Sequence, residues 1–293
     1  MTELTPFALK DAPALIEAVY PVQKVSFEAQ QERTSVQSQT LTGLGSYWKG
    51  RKPLILVRSI ILGSLLPQTN DTEKDLEIFE MLMGFDPISL AKRAVTLGSI
   101  KPTDIISAIT IPNPWDFFSH NIKADDDRFE EISILQAPFN SNELGIKVRW
   151  QKDVDDDAKV PLFKKYLDQL ETYEEKSLLC KRPEECDQKW LSNHIWGKVN
   201  SHFSSFSINA NNINSLVVQL GILRFGRKPK VGDVFSGGGS IPFEAARVGC
   251  DAFASDLNPV ACMLTWGTTN IIGASPEERK KNRKCSTKAR GLS

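Results

Sequence analysis

The sequence predicts an α/β fold: a largely helical N-terminal region, an α/β insertion, and then the first half of a doubly wound parallel sheet. Three observations predict it. Apolar residues recur at helical spacing through most of residues 11–97 and again in residues 213–225. A β-branched run from Ile105 to Ile111 reads as a strand in the middle of the chain. Residues 230–269 read strand, glycine loop, helix, strand, helix.

Leu15, Ile16 and Val19, then Val22, Val25 and Phe27, give residues 11–40 a helical character that Pro21 interrupts. Gln30 to Thr42 is polar and reads as a surface segment. Residues 53–66 carry the strongest helix signal. Pro53 suits a first helical turn, where its missing N–H would have no partner anyway. Leu54 to Val57, Ile60 to Leu62, Leu65 and Leu66 are apolar nearly all round, so this helix should be buried on most sides, with Pro67 ending it. Residues 75–83 and 87–97 read as two further helices around Gly84. Residues 112–160 look irregular, with acidic clusters at Asp125–Asp127 and Asp153–Asp157 that read as solvated loops. Residues 161–176 read as one charged amphipathic helix. Trp190 and Trp196, with His194 between them, mark packing. Ile213, Leu216, Val217, Leu220 and Leu223 share one helical stripe.

Composition bounds the function only loosely. Hydrophobic residues make up 41% and charged residues 25%, as in a globular chain with a sizeable core. Lys+Arg and Asp+Glu stand at 36 each, so total charge says nothing about nucleic acid, which would need a local basic face. No apolar run reaches the length of a membrane span, and residues 1–10 lack the pattern of a secretory signal. The five cysteines, Cys180, Cys186, Cys250, Cys262 and Cys285, show no repeating pattern, which fits reduced thiols in a cytoplasm. The Cys180–Cys186 spacing is too wide for a zinc knuckle, and no metal site is expected.

The informative stretch runs from Asp233 to Pro259. Gly237, Gly238 and Gly239 follow a strand and open a helix. Glycine there permits positive φ and close approach of a ligand to the backbone, and free N–H groups at the helix start favour an electron-rich group. Asp256 ends the next strand, where a carboxylate can accept both hydroxyls of an adenosine ribose. The loop is not the strict dinucleotide fingerprint, which needs glycine or alanine where Pro242 stands. Nor is it a P-loop, since no Gly-Lys-Ser/Thr follows.

Asp233-x-Phe235-x-Gly237-x-Gly239-Ser240 has the form of the cofactor loop of amino-methyltransferases acting on DNA. The stretch from Asp233 to Ala261, DVFSGGGSIPFEAARVGCDAFASDLNPVA, resembles the cofactor region of a family of adenine-specific DNA methylases. These are bacterial proteins with an N-terminal domain of unknown function, often encoded beside anti-phage defence genes. Phe7-Ala-Leu-Lys-Asp11 and Tyr47-Trp-Lys-Gly-Arg-Lys-Pro-Leu54 are similar as well, so the resemblance brackets residues 6–278, while residues 100–200 carry no such motif. It implies an incomplete Rossmann-like, S-adenosylmethionine-dependent methyltransferase sheet. The complete enzyme would extrude an adenine from DNA and methylate its exocyclic amine. Asp256, with Leu257 and Asn258 beside it, would hold the ribose; Gly237, Gly238 and Gly239 would pass under the methionine moiety; Asp233, Phe235 and Ser236 would shape the pocket. In such methylases the methionine end is often held at the start of a helix led by Lys-Pro or Arg-Pro, which Lys52-Pro53 fits.

The Asp/Asn/Ser-Pro-Pro-aromatic loop that receives the target amine in amino-methyltransferases does not occur in the sequence. Asn113-Pro114-Trp115 is the nearest stretch; it lacks one proline and precedes the cofactor loop, so no catalytic residue is assigned. The expectation is a cofactor-binding portion inactive by itself, with DNA as partner of the complete enzyme. A non-enzymatic remnant, or one part of a split enzyme completed by a second polypeptide, is the alternative. A nicotinamide-binding oxidoreductase fragment is disfavoured by Asp233 and Pro242. The sequence thus divides into a helical region (1–100), an insertion (101–205), the half-sheet (206–278) and a basic tail (279–293). That tail has seven basic and no acidic residues and reads as the end of a broken reading frame.

Overall fold

The computed structural model describes residues 4–34, 41–42, 48–120 and 148–273. The chain divides into two compact units, one made of residues 1–83 with 188–293, the other of residues 84–187. The first unit opens with α1 (Leu15–Ala18), α2 (Val22–Thr34), α3 (Leu54–Leu65) and α4 (Thr72–Met83). The second holds α5 (Pro87–Leu97), α6 (Pro102–Ala108), β1 (Phe118–His120), β2 (Val148–Trp150), α7 (Asp156–Leu167) and α8 (Tyr173–Leu178). The chain then returns to the first unit with α9 (Gln188–Leu191), α10 (Trp196–His202), α11 (Ile213–Phe225), β3 (Lys230–Asp233), α12 (Ser240–Arg247), β4 (Asp251–Ala254) and α13 (Pro259–Gly267). The result is a mixed α/β protein, mostly helical, with small sheets. No helix among the described residues is long and apolar enough to cross a membrane.

The first unit is organised around α3. Pro53 stands at its N-cap, and the all-round apolar pattern buries it against α1, α2, α4, α11 and α12. Ile60 is the apolar residue of α3 that faces solvent. The C-terminal carbonyls of a helix lack internal partners, and Arg224 on α11 supplies them here. Its Nε donates to Leu65 O at 2.6 Å and its Nη2 to Leu66 O at 3.1 Å. The same guanidinium reaches Leu9 O, Ala12 O and Pro13 O, so one buried cation ties three chain segments together. The stripe expected on residues 213–225 is the buried face of α11.

β3 and β4 are parallel, with Lys230 opposite Asp251 and Asp233 opposite Ala254. α12 connects them and packs on both, which gives one βαβ unit. The ladder runs past the strands: Ser255 N donates to Asp233 O at 2.9 Å and Ser236 N to Ser255 O at 3.0 Å. Gly249, at φ 106°, turns the chain from α12 into β4. Phe253, Leu257, Val260, Met263 and Trp266 remain exposed in this part of the unit.

In the second unit α5 packs on α7 over a core of Leu90, Ala94, Ile105, Phe118, Leu162 and Phe163. β1 and β2 pair antiparallel, and the Trp150 ring lies 4.6 Å from Phe118 and 5.9 Å from Phe163, centroid to centroid.

Several sequence expectations are corrected here. Ile105–Ile111 is not a strand. Pro102 opens α6, and Asp104 Oδ2 accepts from Lys101 N at 2.9 Å, so local capping and burial of Ile105 and Ile106 override the β-branched preference. The pattern at 161–176 is two helices, α7 starting already at Asp156 and α8 capped by Thr172. The Asp153–Asp157 cluster is in part a helix start: Asp155 Oδ1 accepts from Ala158 N at 2.8 Å, and Asp156 and Asp157 fill the first turn. The region 112–160 is not wholly irregular, since it carries β1, β2 and the start of α7. α2 runs to Thr34, into the polar stretch read as surface segment. Asp125–Asp127, Cys285 and the tail 279–293 lie outside the described residues. Cys180, Cys186, Cys250 and Cys262 are free thiols, the first three buried.

Candidate functional site

The loop between β3 and α12 is built by three local devices and one clasp from the end of β4. Asp233 Oδ1 accepts from Phe235 N at 3.1 Å and turns the chain out of the strand. Gly237 and Gly239 take φ of 51° and 78°, a left-handed conformation that side chains other than glycine seldom adopt. Gly239 N donates to Ser236 O at 2.7 Å and closes the turn. Asp256, at the end of β4, clasps the loop: its Oδ2 accepts from Gly237 N and its Oδ1 from Asn258 N, both at 2.9 Å. The N–H donors of Asn258 and Gly237 hold its carboxyl below the usual aspartate range. Asn258 Oδ1 in turn accepts from Val260 N and caps α13.

Two threonines that no local pattern singles out hold the loop from behind. Thr265 Oγ1 lies 3.0 Å from Ser236 Oγ and 3.2 Å from Gly237 O. Thr268 Oγ1 donates to Gly238 O at 3.4 Å. The space left by each bent glycine is used inside the protein. A Cβ on Gly239 would meet the Thr265 backbone at 2.9 Å, and one on Gly237 would collide with the Trp48 indole.

Trp48, Gly50, Arg51 and Lys52 form one wall of a small cleft over this loop; Asp233, Phe235, Ser236, Gly237, Gly238, Ser240 and Ile241 form the other. The fold therefore brings Lys52 to the glycine loop. The cleft encloses about 70 Å³, room for a small polar head group. Ser240 is buried there, and its Oγ has no hydrogen-bond partner among the described residues. Pro53 stands one step away, in an adjoining hollow of about 800 Å³ that it lines with Arg33, Arg51 and Lys52. Phe235, in the cleft wall, is 76% exposed, and Leu257, outside the cleft beyond the end of β4, is 92% exposed.

The start of α3 differs from the sequence expectation in one respect. Glu32 Oε2 accepts from Leu54 N at 2.7 Å and from Ile55 N at 3.4 Å, so the first donors of the helix serve a carboxylate of the protein itself. Arg51 Nη1 donates to Glu32 Oε1 at 2.9 Å. Burial pushes the Glu32 carboxyl up, against the pull of Arg51 and the two N–H groups. Arg51 and Lys52 are the cationic residues that line the cleft, and Arg51 is already paired with Glu32. Asn113 lies in the second unit, where its amide donates to Asp116 Oδ1 at 2.7 Å. Among the described residues no cluster of His, Cys, Asp and Glu is placed to hold a metal ion.

Residues 19–82 match a family model described as a protein of unknown function, DUF1156. The match covers α2, α3 and α4, and with them Glu32, Trp48, Arg51 and Lys52. It ends well before the glycine loop. No curated protein and no solved structure matches the chain.

Proposed function

We propose that the cleft and the adjoining strand ends bind S-adenosylmethionine, and that the chain is the cofactor-binding portion of a methyltransferase acting on adenine in DNA. The observation that carries this reading is the meeting of Lys52 and the unpartnered Ser240 Oγ above a glycine loop clasped by Asp256. The parts have suitable chemistry. A carboxylate has about four lone-pair positions on its two oxygens. Each Asp256 oxygen accepts one backbone N–H, which leaves capacity for two ribose hydroxyls. Lys52 and Ser240 would receive the carboxylate of the methionine end, while Phe235 and Leu257 would flank the adenine at the strand ends. S-adenosylmethionine supplies an activated methyl group when bound. The β3–α12–β4 unit would then be the first part of a Rossmann-like sheet.

Calorimetric titration of the full chain tests this. S-adenosylmethionine and its demethylated product should bind, and NAD should not. Binding of NAD alone, or of neither class, sinks the proposal.

A second reading keeps the same cofactor site and adds a polypeptide that completes the sheet. It is favoured by the exposure of Phe253, Met263 and Trp266, because parallel sheets are normally covered on both faces.

A further inference from the structure

At the far end of α12 from the glycine loop lies a separate cavity of about 370 Å³. We infer that it is a phosphate-binding site, an assignment that does not depend on the cofactor reading. Its wall carries Arg58 from α3, Lys189 and Ser192 from α9, Asn212 and Asn214 at the start of α11, and Arg247 from α12. Three of these side chains are cationic, and among the described residues no acidic side chain lines the cavity. The chain as a whole has equal numbers of acids and bases, 36 each, so the concentration is local.

The two arginines are fixed in place rather than swinging in solvent. Arg58 Nε donates to Glu244 Oε1 at 2.7 Å, and Arg247 Nε to Glu244 Oε2 at 2.6 Å. Glu244 is fully buried behind the wall and orients both guanidinium groups. Gln188 Oε1 accepts from Arg58 Nη1 at 2.8 Å and fixes the plane of that group further. Lys189 is exposed and makes no ion pair among the described residues. The Nε–Nη2 edge of Arg247 serves Glu244, with Nη2 donating to Oε1 at 3.1 Å, so the arginines contribute fixed positive charge to the wall and Lys189 a mobile one. Asn214 adds a side-chain amide to the wall, while Asn212 caps α11 by accepting from Ser215 N and Ser192 Oγ donates to Gln188 O at 2.7 Å. The volume lies within the usual range for small-molecule sites. The ligand class is therefore a phosphate ester, either a free nucleotide or a phosphate of a nucleic-acid backbone.

The test uses the full chain with inorganic pyrophosphate as probe, at ionic strength matched with sodium chloride. Thermal unfolding should shift upward with pyrophosphate in the wild type. Lys189→Ala and Arg247→Gln should each need about tenfold more pyrophosphate for the same shift. Lys189 is a surface residue, so its variant keeps the test valid if Arg247→Gln folds poorly. No shift in the wild type, or the same dose dependence in wild type and Lys189→Ala, overturns the assignment. Competition by adenosine monophosphate would identify a free nucleotide as the source; competition by a short duplex, fading steeply with salt, would identify the backbone.

Discussion

Arg58 Nε and Glu244 Oε1 stand 2.7 Å apart across the α3–α12 contact, with side chains 2% and 0% exposed. The pair joins the stretch matched by the family model to the helix that follows the glycine loop. Glu244 also accepts from Arg247, so only its own removal strips the buried Arg58 of its counter-charge, a loss of about 3–5 kcal/mol. Glu244→Gln should destabilise the first unit by that order in urea unfolding, and Arg58→Met by less. The double variant Arg58→Met/Glu244→Leu should recover a large part of the loss. A double variant as unstable as the sum of the singles would show that the two residues act separately.

Asp256→Ala should weaken S-adenosylmethionine binding about tenfold to a hundredfold, because ribose hydroxyls and the Gly237 N–H lose their acceptor together. The pH dependence has a fixed sign. The carboxyl is depressed in the folded protein, so its contribution is complete above the ordinary aspartate pKa of about 3.9. It is lost only as pH falls through the lower folded value. Calorimetry across the neutral and mildly acidic range should show constant affinity. A loss of wild-type affinity as pH falls across that range, absent from the Asp256→Ala variant, would contradict this.

Gly239→Ala and Gly237→Ala should differ. At Gly239 the new methyl meets the backbone of Thr265 at 2.9 Å, which cannot move aside, and φ is positive. A cost of about 2–4 kcal/mol follows from the left-handed conformation and the overpacking together. At Gly237 the obstacle is the Trp48 side chain, which can rotate away, so the cost should be near the conformational part alone, about 1–2 kcal/mol. Denaturant unfolding of the two variants compares them directly, and equal losses would refute the distinction.

Arg224→Lys should destabilise the protein by about 2–4 kcal/mol although the charge is kept. A single ammonium cannot reach the five carbonyls that the guanidinium holds, and those of Leu65 and Leu66 end a buried helix. A near-neutral result in thermal unfolding would mean that water replaces the lost donors.

The purified chain should incorporate no labelled methyl group into DNA. The sequence holds no Pro-Pro pair to form an amine-receiving loop, and proximity to a cofactor does not replace one. Clear incorporation would turn attention to Asn113.

The parts legible in the sequence are those whose signal is local. α3 and α11 follow from apolar spacing, and the β3–α12–β4 unit follows from the glycines between two short runs. The strand expected at Ile105 failed because Pro102 and Asp104 fix the backbone before side-chain preference acts. In the site, the residues named from sequence lie on the loop and on the Asp256 turn, where the motif spacing is local, and at Lys52 and Pro53 before α3, which the resemblance supplied. Glu32, Trp48, Thr265 and Thr268 were not legible. Each acts across a gap in sequence, such as the 22 residues from Glu32 to Leu54, and only the tertiary fold supplies the partner. Ser240 was in view as part of the motif, but its lack of a partner is a property of packing alone.

The ties within the first unit also set the order in which the chain can acquire structure during synthesis. Arg58 and Glu244 are 186 residues apart, and Arg224 and Leu9 are 215 apart. At ribosomal rates of roughly 5–20 residues per second, α3 waits on the order of 10–40 s for its partner on α12. The unit of residues 84–187 is continuous in sequence and can close in that interval. The early-made α3, among the most apolar of the described helices, must therefore be kept from wrong partners for that time, which makes the nascent protein a candidate client for chaperones.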